Sequence, residues 1–434
     1  IQVTFPPRER GTAFGMFGAT IGLATITGPL VGGLLIEADL LGLEWRPIFL
    51  VNVPIGIAAL AVAARYLVES RAPRALRPDP VGVVIVTAGL LLLVYPLVQG
   101  RDLDWPVWTF VSMAAAVPVL IGFGIYERHK KARDGSPLVD LDLFRQRSFV
   151  PGLLVAGIFF MGIPAFFLTL SLWLQIGLGF TALHAGLTGA PFAVGSAVAS
   201  AASVRLAPNL GRRILSIGSL LLVAGMVALI WTVDRYGGAV HSWQLLPALL
   251  VCGLGLGSVV APLVTVVLAG IRGQDAGAAS GVLSTVQQVG GAVGVALIGV
   301  IFFGLLGSQA AAVADDLIPG MRADLQSAGL PPAVTRQVAA GFRTCFEDRA
   351  NAKDPSAVPA SCARAQAQAQ GQDRVGQAVA ATAETARRRT FSEAFQRTLL
   401  FEVAVFLACF LLVFLLPGAR GGAREQPAEA PAPL

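Results

Sequence analysis

Long uncharged apolar runs recur along almost the whole of this 434-residue chain. A run of about 20 such residues can cross the hydrocarbon core of a bilayer as a helix. Lipid offers no hydrogen-bond partner to an open backbone, so each crossing must be helical. The sequence therefore predicts an all-α polytopic membrane protein with about ten transmembrane helices. The predicted spans are 13–36, 47–68, 80–98, 107–126, 149–173, 183–204, 214–232, 245–270, 277–305 and 398–416.

The composition supports a membrane protein over a soluble one. Hydrophobic residues make up 55% of the chain and charged residues 13%, whereas soluble domains carry about a quarter charged residues. The net charge of +6 does not indicate a nucleic-acid partner, because the basic residues fall in short clusters between apolar runs. The lipid bilayer is the expected environment.

The connections between the predicted spans alternate in charge. Basic clusters such as those at 128–133 and 212–213 lie on one side, and the opposite connections are poor in basic residues. By the positive-inside rule the basic side is cytoplasmic, and both ends of the chain lie there. The chain begins with Ile1, and no signal peptide precedes the first span, so we expect that its beginning is truncated.

Two stretches are too polar for the membrane. Residues 308–397 are expected outside the cytoplasm and partly helical, and they contain Cys345 and Cys362. A disulfide between these cysteines is the expectation for that compartment, and two free thiols are the alternative. The tail from Gly418 onward has the composition of a disordered segment.

Residues 11–33 have small residues at helical spacing and a Gly-Pro pair near the end. In a bilayer such a helix lets a neighbour approach closely, and Pro29 removes one amide donor and favours a bend. Residues 277–294 repeat much of the small-residue pattern, in the same predicted direction. Parallel similarity of this kind is typical of transporters built from two related halves.

Four stretches together resemble one known family. Residues 11–33 read GTAFGMFGATIGLATITGPLVGG, 45–56 WRPIFLVNVPIG, 137–144 PLVDLDLF and 206–213 LAPNLGRR. They resemble, in that order, the antiporter motif of the fifth helix, the start of the sixth helix, the segment before the ninth helix and a degenerate cytoplasmic loop motif. The family is the fourteen-helix drug:proton antiporter branch of the major facilitator superfamily. The matching residues are Gly15, Gly18, Gly28, Pro29, Gly32 and Gly33 in the antiporter motif and Gly211, Arg212 and Arg213 in the loop motif.

The resemblance implies that the spans correspond to family helices five to fourteen. Helices one to four, with the acidic and arginine residues used for proton coupling, would then be missing. The implied regions are the end of the N-terminal half (1–68), a central helix pair with its loop (69–148), five spans of the C-terminal half (149–307), the outer polar loop (308–397), the last span (398–417) and the tail (418–434).

Uncharged side chains are left to bind a substrate in the predicted spans. Apolar walls with a few hydrogen-bonding groups suit amphipathic compounds of varied chemistry. Packing between helices is the alternative role for each polar residue. The candidate cavity residues are Asn52, Phe167, Ser171, Gln175, Ser284, Gln287 and Gln288, with Phe159, Phe160 and Phe166 beside them.

Glu402 is the nearest candidate for an ionisable residue in mid-membrane. It lies about one turn inside the outer end of the last predicted span, where interfacial water can solvate it. The sequence therefore predicts that export does not depend on Glu402.

Other classes lack their motifs. No lysine follows glycine as in a phosphate-binding loop, the three histidines and four cysteines do not cluster as metal ligands, and no G-x-S-x-G stretch occurs. We therefore expect neither an enzyme nor a metal site or cofactor.

The resemblance implies a monomeric exporter of drugs or amphipathic small molecules in the bacterial cytoplasmic membrane, driven by the proton gradient through alternating access. An exporter of one endogenous metabolite and a non-transporting receptor or scaffold are the alternatives.

Overall fold

The computed structural model describes most of the chain beyond residue 30. The described residues are 20, 24, 28, 31–39, 42–66, 78–101, 103–268, 271, 275–352, 358–369 and 373–416. Nine helices within them are long and apolar enough to span a membrane. These helices correspond to nine of the ten predicted spans. The first predicted span, 13–36, lies mostly outside the described residues, and its described residues, 20, 24, 28 and 31–36, are helical.

The spanning helices are α1 (Pro47–Tyr66), α2 (Pro80–Gln99), α3 (Val107–Asp134), α4 (Phe149–Leu172), α5 (Ala182–Leu210), α6 (Arg213–Tyr236), α7 (Ser242–Val267), α8 (Ala276–Ser327) and α11 (Asp373–Val413). Two shorter helices, α9 (Pro332–Ala350) and α10 (Ala360–Ala369), lie between α8 and α11.

Helices α4 to α8 and α11 form one bundle around a shared apolar core. Glycines set the approach of neighbouring helices, because a bilayer gives apolar side chains no net drive to leave lipid. On α7, Gly253 faces the backbone of Phe192 in α5, and Gly255 faces the backbone of Gly218 in α6. The alternating glycines of α7 therefore bring it close to two helices at once.

Helices α2 and α3 form an antiparallel pair. Ser112 donates from Oγ to the carbonyl oxygen of Leu92 at 2.9 Å. Asp79 accepts from the amide of Gly82 in the first turn of α2 and from the Tyr126 hydroxyl of α3, both at 2.9 Å. The carboxyl group of Glu127 is 1% exposed, and it accepts from the amide of Val139 at 3.2 Å. Asp79 thus joins the two helices to each other, and Glu127 joins α3 to the connection before α4.

The segment 308–397, predicted as a polar loop, is largely helical in the structure. Helix α8 continues to Ser327, and the last helix begins at Asp373 instead of near residue 398. Residues 308–352, 358–369 and 373–397 are called the cap. The cap has its own apolar core, which includes Ile318, Phe342 and Val375. The sulfurs of Cys345 in α9 and Cys362 in α10 are bonded in a disulfide.

The end of the bundle opposite the cap carries the loop motif and is called the basic end. Gly211 has a φ of +52°, a left-handed conformation that glycine adopts without a steric penalty. It separates α5 from α6, and the guanidinium group of Arg212 beside it reaches the end of α11. Arg213 begins α6 and is exposed.

Candidate functional site

One face of α4 carries most of the predicted cavity residues of that helix. Pro164, Phe167, Ser171 and Gln175 recur at helical spacing along it. Gln175 lies in a π-helical turn, Trp173–Gly177, that follows α4 directly, and its Nε2 donates to Ser171 Oγ at 2.7 Å. Single π-helical turns are frequent at functional sites. The sequence patterns did not indicate this turn.

Helix α8 lies against the same part of α4. A Cβ on Gly290 would lie 2.6 Å from the carbonyl oxygen of Gly157, and one on Gly291 would lie 3.4 Å from Cγ of Pro164. Ser284 and Gln288 share the helix face of Gly291, and both are exposed. Gln287 is half-buried. The structure therefore places the predicted polar residues of α4 and α8 along two neighbouring helices.

Other predicted residues lie elsewhere. Asn52 is exposed on α1, and its Nδ2 donates to the carbonyl oxygen of Ile48 in the same helix at 3.2 Å. Phe159 and Phe166 are buried between helices, so they pack the bundle instead of facing a cavity. Phe167 is 36% exposed, and its ring lies 4.9 Å from that of Phe192 in α5.

The described part of the antiporter motif touches α5. A Cβ on Gly33 would lie 2.8 Å from Cα of Leu183 and 2.9 Å from its amide nitrogen. Nothing larger than glycine fits there without moving the backbone of α5. Gly32 has more room, because Ile48 Cδ1 is the nearest described atom at 4.0 Å. Gly28 is helical and exposed, with no described atom within 4 Å of a built Cβ, and Gly15, Gly18 and Pro29 lie outside the described residues.

Glu402 does not lie at the interface that the sequence suggested. The register between α4 and α11 fixes its depth. Trp173 Nε1 donates to Ser392 Oγ at 3.0 Å near one end of the contact, and the rings of Phe159 and Phe406 lie 5.9 Å apart farther along. Between these points, a Cβ on Gly162 would lie 3.2 Å from Glu402 Oε2.

Gly162 is near the middle of α4, about 20 Å from Phe149 and about 15 Å from Leu172 at 1.5 Å per residue. Glu402 therefore lies close to mid-depth in the bundle. Its side chain is 0% exposed, and neither carboxyl oxygen has a hydrogen-bond partner among the described residues. The interfacial interpretation was wrong, because the depth was counted from the start of the apolar run and the helix begins 25 residues before that run.

Two cavities near the cap lie apart from these residues. One of about 590 Å³ is lined by Phe180, His184, His241, Trp243 and Arg388, among others. A second of about 360 Å³ lies beside Arg101 and Phe303, whose guanidinium and ring centre are 3.6 Å apart. Neither is lined by a predicted cavity residue.

The fold and the site define a polytopic helical membrane protein whose spans pack through glycines and carry an uncharged polar face. The sequence profile of the Major Facilitator Superfamily matches residues 1–295. The chain belongs to the major facilitator superfamily.

Relatives with stated roles extend the match. Over 406 residues the chain is 42% identical to the probable actinorhodin transporter of Streptomyces coelicolor, covering 93% of this chain and 70% of that protein. It is 33% identical to the puromycin resistance protein of Streptomyces alboniger, covering 71% and 59% of the two chains. It is 31% identical to the tetracenomycin C resistance and export protein of Streptomyces glaucescens, covering 78% and 60%. The chain thus spans about 60% of the length of the last two relatives.

Proposed function

We propose that this protein exports amphipathic small molecules of the antibiotic class across the bacterial cytoplasmic membrane. The observation that carries the proposal is the similarity over 93% of the chain to a relative named as a transporter of one such compound. The tetracenomycin relative, named for resistance and export, supports the same direction of transport.

The neighbouring faces of α4 and α8 supply the chemistry that such a substrate needs. Phe167 offers an aromatic surface, and the hydroxyl and amide groups of Ser171, Gln175, Ser284 and Gln288 can donate and accept hydrogen bonds. Charged groups are absent from α4 and from residues 276–314 of α8. A surface of this kind orients an amphipathic molecule without requiring a fixed charge on it.

The energy source in this proposal is the proton gradient. Export then proceeds by rocking of two helical halves about a midplane site, and the protein acts as a monomer without a cofactor. The basic end faces the cytoplasm, because Arg and Lys concentrate in its connections, and the cap lies outside.

Transport of a fluorescent amphipathic dye tests the function. The full-length gene product is reconstituted in proteoliposomes, and dye movement is measured with and without an imposed pH gradient. We expect movement that requires the gradient and saturates with dye concentration. A correctly inserted protein that moves neither the dye nor a panel of antibiotics under any gradient would refute the proposal and favour a receptor or scaffold.

Gln288→Ala tests the site. We expect a rise in the KM for the dye of several fold with little change in insertion, because the amide no longer contributes a hydrogen bond. Gln326→Ala is the matched control, since Gln326 is an exposed glutamine on the same helix within the cap. Equal kinetics in the two variants would remove Gln288 from the site.

An exporter dedicated to one endogenous metabolite is the second candidate. The name of the Streptomyces coelicolor relative, which refers to a single compound, favours it. Competition of a compound panel against dye transport separates the two candidates: broad competition supports multidrug export, and competition by a single chemical series supports a dedicated exporter.

A further inference from the structure

We propose that Glu402 is a proton-carrying residue of the transport cycle, located in the last helix and not in the N-terminal half. Its carboxyl group holds a proton while the contact between α4 and α11 is closed, and it releases that proton when the contact opens to water. The inference rests on the proposed function, because it assumes that export is coupled to protons.

Glu402 is fully buried within the bundle. The side chain is 0% exposed, and both carboxyl oxygens lack a partner among the described residues. An ionised carboxylate in such a place is strongly unfavourable, and a neutral one still leaves its polar atoms unpaired. Glu402 therefore does not stabilise this conformation, and an apolar side chain would pack better. Ionisable groups at mid-depth in a membrane mark ion or proton pathways.

The helices that pack against α11 within the membrane carry few charged residues. Helix α11 packs on α4, α6 and α8. Helix α4 has no Asp, Glu, Lys, Arg or His, α6 has none between Arg213 and Asp234, and α8 has none before Asp315. On α11 itself the neighbouring titratable groups are Arg397, an exposed residue five positions toward the cap, and Cys409, which accepts from Ser219 Oγ at 3.7 Å.

Asp234 is the titratable group of α6 nearest to Glu402 on the cap side, and Gln396 Nε2 donates to its Oδ1 at 3.3 Å. Gln396 lies more than one turn from Glu402, toward the cap. Access of water, and not a counter-ion, therefore determines when Glu402 can ionise.

Helix α4 has an interior proline, Pro164, close to the level of Glu402. Gly162 leaves room for the carboxyl group, and Pro164 has no amide to donate to the carbonyl oxygen one turn earlier. Interior prolines are common causes of helix bends. A change in the direction of α4 at Pro164 would alter how closely α4 packs against Glu402.

Pro164 also contacts the face of α8 that is proposed to bind the substrate. The ring of Pro164 packs against Gly291 of α8, on the face that carries Gln288. A substrate bound across the neighbouring faces of α4 and α8 would therefore change the contact that closes Glu402 on the other side of α4. One reversible step follows: the carboxyl O–H bond breaks, the proton passes to water, and a carboxylate remains until a proton from the acidic side reforms the bond.

Glu402→Gln in the full-length protein tests the proposal, because the amide keeps the shape of the neutral acid and cannot release a proton. In proteoliposomes with an imposed pH gradient, we expect uphill dye transport to fall at least tenfold. Dye exchange at equal dye concentration, which needs no net proton movement, should remain within about twofold of wild type. Glu384→Gln is the matched control, since Glu384 lies on α11 within the cap and is 53% exposed.

Glu402→Asp distinguishes chemistry from shape. It keeps the acid and should retain part of the uphill transport that Glu402→Gln loses. Uphill transport by Glu402→Gln at the wild-type rate would overturn the proposal and leave the proposed function intact. A wild-type protein that exchanges dye but ignores the pH gradient would overturn proton coupling and this inference with it, while export itself would stand.

A carbodiimide adduct supplies a readout besides transport. Carbodiimides react with protonated carboxyl groups in apolar surroundings, so the peptide containing Glu402 should gain the adduct mass in the wild type. The yield should fall as the pH is raised and should change when dye is added. Labelling that is insensitive to both pH and dye would contradict a proton that leaves during the cycle.

Discussion

Arg212 donates from Nη1 to the backbone carbonyl oxygen of Phe414 at 3.1 Å, and so holds the connection between α5 and α6 against the end of α11. The same nitrogen also donates to the carbonyl oxygen of Leu416. The last carbonyl groups of a helix have no partner within it, and a cation near them interacts favourably with the helix dipole. The arginine of the loop motif thus joins the α5–α6 connection to the residues that follow α11 at the basic end of the bundle.

We predict that Arg212→Ala lowers the free energy of unfolding by about 1–3 kcal/mol, because the carbonyl groups lose a charged donor. The buried thiols of Cys252 and Cys409 can report unfolding through a thiol-reactive dye during heating. Arg213→Ala is the control, since Arg213 is exposed. Equal unfolding temperatures for the two variants would contradict the structural role of Arg212.

Two glycines of α8, Gly290 and Gly299, should differ in how much an alanine substitution destabilises the protein, because Gly290 packs against α4. Gly290→Ala should destabilise the protein by about 1–3 kcal/mol, because its Cβ would lie 2.6 Å from a backbone oxygen of α4 that cannot move alone. Gly299→Ala should be neutral or stabilising by up to about 1 kcal/mol, because no described atom lies within 4 Å of that Cβ. Thermal unfolding in detergent measures both, and a loss in Gly299→Ala as large as that in Gly290→Ala would refute the assignment.

The antiporter motif should show a similar difference between adjacent residues. We expect Gly33→Ala to reduce dye transport several fold, because a Cβ would push the motif away from Leu183 of α5. Gly32→Ala has ordinary contact distances and should transport normally. Transport rates normalised to the amount of inserted protein provide the measurement, and equal loss in both variants would show that the approach to α5 is not the cause.

The two buried acids of the α2–α3 pair, Asp79 and Glu127, predict a substitution that does not destabilise the protein. Asp79 Oδ2 and Glu127 Oε1 have no hydrogen-bond partner among the described residues, and a Cβ on Gly82 would lie 2.5 and 2.7 Å from them. Neighbouring carboxylates disfavour joint ionisation. Glu127→Gln places an amide donor beside Asp79 and keeps an acceptor for Val139, so we expect the unfolding temperature to stay equal or rise.

Glu127→Ala is the comparison for that variant, since it leaves the Val139 amide without its acceptor and should lower the unfolding temperature. A lower unfolding temperature for Glu127→Gln than for Glu127→Ala would contradict the interpretation.

The disulfide should stabilise the cap. Closing a loop of this length contributes about 3 kcal/mol in the chain-entropy model. Reductant should therefore increase proteolysis within the cap while the bundle stays folded. Alkylation without reductant should leave Cys345 and Cys362 unmodified in the mass spectrum, and full modification of both would show that the bond is absent from the native protein.

The sequence was most informative where composition alone decides the outcome. Apolar runs must be helices in lipid, so the described spans agree with those predicted. Glycine spacing predicted close packing but not its location: Gly290 meets the backbone of α4, whereas Gly277 and Gly281 have no described atom within 4 Å of a built Cβ. Which glycines are approached depends on the tilt and register of the neighbour, and a single helix does not encode these.

Glu402 illustrates the same limit for a polar residue. Hydropathy marks where an apolar run begins, but the depth of a side chain depends on the helix packed beside it. Residues 373–397 are charged enough to be assigned to a loop, yet they continue the helix beyond the apolar run. The contact between Trp173 and Ser392 is made by residues 219 apart in the chain, and it sets the register that brings Glu402 beside Gly162.

Helix α8 is 52 residues long and enters the cap without interruption. At 1.5 Å per residue it is a rod of about 78 Å, so a tilt of 10° pivoting near Phe302 would move its far end by about 7 Å. Helix α11 enters the cap as a second rod, and the cap's own core ties the two together. Movements in the membrane are thereby amplified into displacements that a fluorophore on the cap can record from outside the bilayer.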